Sequence, residues 1–187
     1  MTGPAAPGLS LLFLSQTYPR FEEDTPGPFI RDLARGLARG GDRVTVLLPH
    51  TERLETGSRD GVEVISFRYA PAAWEILGYS RTLAADERVR GKAALVAPLY
   101  ALAARRAVFR LLAERRFDLV HAHFLVPNGV ALAPFGRRLL GRRVEMPPFG
   151  QPAEIPLLGR RSRTVFAIGL HGSDVFLAEK PGARQLA

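Results

Sequence analysis

Gly8-Leu-Ser-Leu-Leu-Phe-Leu-Ser15, Phe29-Ile-Arg-Asp-Leu-Ala-Arg-Gly-Leu-Ala-Arg39 and Arg43-Val-Thr-Val-Leu-Leu48 decide the fold. The first is a short apolar run bounded by turn formers, the pattern of a strand buried on both faces, as in a parallel sheet. In the second, Ile30, Leu33, Ala34, Leu37 and Ala38 fall on one helical face, with Arg31, Asp32, Arg35 and Arg39 opposite. Pro28 suits the first helical turn and Gly40-Gly41 the stop. The third is again a strand. Strand, helix, strand is a βαβ unit, whose crossover is right-handed.

Working outward, Val62–Phe67 predicts a strand after the turn at Asp60-Gly61. The stretch 82–116 reads as helical, with Pro98 either kinking it or starting a second helix. Phe117-Asp-Leu-Val-His-Ala-His123 predicts another strand, and Asn128-Gly129 opens a helix over 130–140. Residues 141–163 form a Pro/Arg-rich insertion before a strand at Thr164–Leu170, which runs into His171-Gly-Ser-Asp174. Strands alternating with helices predict a Rossmann-like, doubly wound α/β parallel sheet. Ligands of such sheets lie beyond the carboxyl ends of the strands. Three loops therefore hold the candidate binding residues: the one after Ser15 with Gly27, the one with His123, Asn128 and Gly129, and the one with His171, Gly172 and Asp174.

Composition narrows the chemistry. The 187 residues contain no Cys, which excludes disulfides, a catalytic thiol and any Cys-ligated metal. All but Lys92 and Lys180 of the 26 basic residues are Arg. Residues 1–75 carry a net charge of −2 and residues 76–187 carry +10. A basic half suits an anionic partner such as a phospholipid surface or a nucleotide, or is simply a solvated Arg-rich surface. Arginine pairs such as Arg105-Arg106, Arg115-Arg116 and Arg137-Arg138 could face anionic lipid. No aromatic-interleaved basic stripe or helix-turn-helix pattern argues for nucleic acid. The apolar windows 9–14 and 93–104 are too short to span a bilayer. With no secretory signal pattern, the expected location is the cytoplasm, with contact at the inner membrane surface.

The candidate side chains can be weighed one by one. His121 and His123 share a strand face. His121, deeper in the strand, is expected to be structural, and His123, at the strand end, to bind a polar ligand. No third ligand stands at metal-motif spacing, so no metal is expected. Gly27, at a helix start, would admit a phosphate to backbone N–H groups. The GxGxxG and Walker A spacings are absent, against simple NAD binding or P-loop ATP hydrolysis. Gly172 permits close approach, and Ser173 or Asp174 could cap a helix. No GxSxG elbow supports a serine hydrolase.

The series Ser15-Gln-Thr-Tyr-Pro-Arg20, Gly27 through Leu48, Phe117 through His123 and Leu170-His-Gly-Ser-Asp174 resembles the N-terminal domain of family 4 glycosyltransferases over about residues 9–177. The resemblance implies a GT-B fold of two Rossmann-like domains. It implies retaining transfer of a sugar from a nucleotide-sugar donor to a sugar or lipid-linked acceptor, with no cofactor or catalytic metal. Gly27 would lie near the donor phosphates, and His123 and His171 near the transferred sugar, where they would serve as the catalytic pair. The family continues beyond the equivalent of Ala187 into a donor-binding domain. The expectation is an N-terminal, acceptor-side fragment, inactive on its own. The alternatives are a non-enzymatic module docking on anionic lipid or a partner chain, and a fragment of a GT-B-type nucleotide-sugar epimerase.

Overall fold

The computed structural model describes residues 8–79, 87–132, 152–157 and 160–171. Seven strands form one sheet: β1 (Ser10–Leu14), β2 (Arg43–Pro49), β3 (Gly57–Arg59), β4 (Val62–Phe67), β5 (Leu119–His123), β6 (Pro152–Leu157) and β7 (Arg160–Gly169). The spatial order is β3-β4-β2-β1-β5-β7-β6. The five inner strands are parallel, and β3 and β6 are antiparallel edges. Counting parallel strands only, the order is 3-2-1-4-5, the doubly wound arrangement expected. Its order reverses between β1 and β5, so the crevice above those two strands is the natural ligand position.

Alternation along β1 sorts side chains between two cores. Leu11 and Phe13 pack with Ile30 and Ala34 of helix α1 (Pro28–Arg39). Leu12 and Leu14 pack with Val96, Tyr100, Val108 and Leu112 of helix α2 (Glu87–Glu114). Each fully buried aliphatic side chain contributes about 1.5–3 kcal/mol. Leu33, expected on the buried face of α1, stays exposed at its flank. Pro98 lies inside a single α2, so no second helix begins there.

Two expectations need correction. The insertion 141–163 contains the edge strand β6, and β7 begins at Arg160 rather than Thr164. Pro152 and Pro156 are tolerated because β6 lies at the sheet edge, where a missing N–H costs no ladder bond. Strand β3, not foreseen, pairs with β4 through the two-residue turn Asp60-Gly61, both at positive φ. After β5, Leu125–Gly129 forms one wide π turn before Val130–Leu132 turns α-helical, and the rest of the helix expected to residue 140 lies outside the described residues.

Candidate functional site

The carboxyl ends of β5 and β7, beside β1, carry a cluster of imidazoles. Phe13 pairs in register with His121, which puts His121 and His123 on the α1 face of the sheet. The edge of the Phe13 ring meets both, at centroid distances of 5.5 and 4.9 Å. His123 stands opposite Gly169 of β7, and the chain then carries His171 over the same rim. The His123 and His171 rings stack at 5.6 Å, and those of His121 and His123 lie 4.2 Å apart. Two residues that the sequence singled out, 48 positions apart in the chain, thus share one rim.

Gly27 reaches this rim from the other side. It caps the N-terminus of α1 at φ +65°, and an added Cβ would stand 3.1 Å from the Thr17 carbonyl. Only glycine takes that conformation and that space without strain. Two residues on, the Phe29 ring lies 5.0 Å from His171, and Phe124 lies 4.3 Å from His171 on the other side. Phe124 holds its place at φ +71°, a backbone cost of roughly 1–3 kcal/mol for a side-chain-bearing residue. Its N–H donates to the Gly169 carbonyl at 2.9 Å.

The electrostatics separate the two β5 histidines. His123 is only 2% exposed, and neither ring nitrogen has a hydrogen-bond partner. Burial drives its pKa down to about 3, helped by repulsion from His121 and His171, so its ring is neutral at physiological pH. A neutral imidazole offers one N–H and one lone pair, and leaving such a group unsatisfied costs about 1–3 kcal/mol. His121 is partly exposed, and its pKa is lowered by burial and by His171. The expected order of enclosure is therefore reversed: the strand-end histidine is the buried one, with the Phe13, His121 and His171 rings packed around it.

Asn128 and Gly129 do not face the crevice. The Asn128 side chain is fully buried; its Oδ1 accepts from Tyr100 Oη at 2.7 Å and its Nδ2 donates to the His123 carbonyl at 2.8 Å. It braces the backbone under His123 against α2 and is enclosed away from solvent. Gly129 is buried against Ile168 and Leu125, and its N–H donates to the Phe124 carbonyl. Gly172 and Asp174 lie outside the described residues. The structure adds Gly169, which the sequence did not suggest: a Cβ there would stand 2.9 Å from His121 Nε2, so the bare backbone makes room for the imidazole. Among the described residues no group of three or more His, Asp or Glu is arranged to hold a metal ion.

Chemically, the rim offers a neutral His123 imidazole, two further imidazoles and an aromatic collar on a parallel sheet. That suits a ligand with hydroxyl groups, each able to donate and accept at once. No curated protein matches the sequence. A family model described as glycosyl transferase 4-like domain matches residues 25–185, a span that includes α1, the imidazole rim and the antiparallel edge β6. The chain therefore belongs to the glycosyl transferase 4-like domain family.

Proposed function

We propose that this chain is the acceptor-side, N-terminal half of a retaining glycosyltransferase that moves a sugar from a nucleotide-sugar donor to an acceptor. The observation that carries the reading is the enclosed His123 ring, neutral and without a partner, stacked on His171 at the carboxyl rim. Two sugar hydroxyls can satisfy the nitrogens of such a ring, one accepting from its N–H and the other donating to its lone pair. His123 and His171 orient the transferred sugar, and neutral dipoles beside it stabilise charge as it turns oxocarbenium-like. The diphosphate meets the α1 N-terminus at Gly27, where backbone N–H groups and the helix dipole favour an anion. By the resemblance, the remaining diphosphate contacts belong to a second, donor-binding domain, and no metal takes part.

The test is transfer and slow hydrolysis of radiolabelled UDP-, GDP- and ADP-sugars by the full-length gene product. His171→Ala and His123→Ala should each lower kcat/KM by about 10²–10³-fold, the scale of removing a stabilising donor from a reacting centre. Unchanged turnover in both variants refutes the reading. Conversion of the donor into its epimer without any acceptor, rather than its hydrolysis, would identify an epimerase instead.

A second reading has its own observation. Leu95, Leu99 and Leu102 on α2 are 67, 49 and 42% exposed and follow helical spacing, with exposed Lys92, Arg106 and Arg110 on the same helix. Beside them a 530 Å³ apolar groove runs between Pro98, Ala101 and Pro127. No helix among the described residues is long and apolar enough to cross a membrane. Apolar residues beside cations suit the interface of an anionic bilayer. Salt-sensitive sedimentation with phosphatidylglycerol vesicles, lost in Leu95→Ser/Leu99→Ser, tests it. If that binding survives in His123→Ala and no transfer is found, docking alone is the function.

A further inference from the structure

A second cavity opens on the same rim, over the carboxyl ends of β2 and β4. It encloses about 440 Å³, within the range of small-molecule sites. Its lining includes Arg20, His50, Glu52, Arg53, Glu75 and Tyr79. Three features set it apart from an ordinary surface dent.

The first is strain. Arg53 and Tyr79 adopt φ +65° and +60°, and both line this one cavity. Gly78, also in the lining, takes φ +111°; an added Cβ there would stand 2.7 Å from the Gln16 carbonyl. Such conformations cost roughly 1–3 kcal/mol each in side-chain-bearing residues and concentrate where a ligand is held. The second is rigidity. The Arg20 guanidinium is forked onto Asp24 at 2.6 and 3.0 Å. Nδ1 of His50 donates to Glu75 Oε2 and its Nε2 accepts from Arg68, both at 3.0 Å. The Arg53 guanidinium rests on the Phe21 ring at 4.6 Å. Polar heads held this way lose little freedom on binding.

The third is balance. Two guanidiniums (Arg20, Arg53) and two carboxylates (Glu52, Glu75) line the cavity, and Asp24 and Arg68 behind them cancel as well. An anion would meet the carboxylates and a cation the guanidiniums, while an apolar group would use none of the hydrogen-bonding capacity these heads keep beyond their partners in the protein. Hydroxyls suit both kinds at once, accepting from N–H and donating to carboxylate. We propose that this pocket binds a neutral, hydroxyl-rich ligand, a sugar ring or two. The ligand class rests on the lining; that this sugar is the acceptor rests on the transfer reading above. The geometry allows it: β2 and β5 are two strands apart, roughly 10 Å. The Gln16 loop between them accepts the Tyr79 N–H at 3.0 Å.

The test is a ¹H–¹⁵N titration of the 187-residue chain with methyl α-glucoside, methyl α-mannoside, methyl β-galactoside and maltose at millimolar concentration. Glucose 6-phosphate and glucuronate are the charged arms. At least one neutral sugar should move the amides of Arg53, Gly78 and Tyr79. Arg53→Ala and Glu52→Gln, both exposed changes, should each weaken that binding about tenfold. The proposal is overturned if no neutral sugar moves those amides, if a charged sugar binds as tightly, or if both variants bind like the wild type. Binding here without transfer by the full-length product would sink the transfer reading and leave the pocket standing. Transfer unaffected by both variants would leave the transfer reading standing and overturn the assignment of this sugar as the acceptor.

Discussion

The two ends of the same sheet are built on opposite principles. At the amino end the carboxylates of Asp42, Glu63 and Asp118 are all paired. Asp118 accepts from the Ser10 N–H at 2.7 Å and its own N–H donates back to the Ser10 carbonyl at 2.8 Å. Asp42 accepts from the Leu9 N–H. Glu63 holds both Thr45 Oγ1 at 2.8 Å and Arg115 at 2.7 Å. At the carboxyl end a buried imidazole has no partner, and three side-chain-bearing residues, Arg53, Tyr79 and Phe124, sit in left-handed backbone. One end spends its polar groups on holding strands together; the other, though it pairs most of its charges, holds an enclosed imidazole without a hydrogen bond and a strained backbone, at a cost in stability. Stabilising the rim would therefore be expected to interfere with what it binds.

The contrast can be broken where the carboxyl end does have a brace. Asn128→Ala strips partners from the Tyr100 hydroxyl and the His123 carbonyl in a fully buried place. It should destabilise by about 2–4 kcal/mol in urea unfolding. A loss under 1 kcal/mol would mean that the imidazole rim needs no such support.

Acid sharpens the contrast next. His123 in the folded chain protonates only near pH 3, whereas the same side chain unfolded does so near 6.5. As pH falls from 7 to 5 the unfolded chain takes up a proton that the native one refuses, so stability drops by about 2 kcal/mol from this group. Unfolding curves at the two pH values should show that decline, and His123→Gln should flatten it by the same amount.

The smallest effect belongs to the amino end. Asp118→Ala removes a side-chain acceptor from one strand-end N–H that water can partly replace. It should cost about 1 kcal/mol and leave sugar-induced shifts at Arg53 and Tyr79 unchanged. Altered shifts would show that the two ends are coupled.

Much of this was readable in advance, for physical reasons. The βαβ start was legible because β1 and β2 are buried on both faces and Pro28 and Gly40 mark the helix ends. The convergence of His123 and His171 followed from the rule that loops at carboxyl ends share a rim. Strand β3 was missed although Asp60-Gly61 is a hairpin turn, because Gly57-Ser-Arg59 is too short to show alternation. Strand β6 was hidden by its prolines. The turn of Asn128 toward Tyr100 was not legible because sequence says where a side chain starts, not which way it turns. The pocket at β2 and β4 had no signature at all: His50 and Glu75 lie 25 positions apart, and left-handed Arg and Tyr have no local cue.

The turn at Phe124 also narrows what substitution can do. Glycine would relax the backbone and remove the ring that flanks His171. Any other aromatic residue would keep a ring and inherit the same torsion. Position 124 therefore has no replacement that both relaxes the backbone and keeps a ring beside His171.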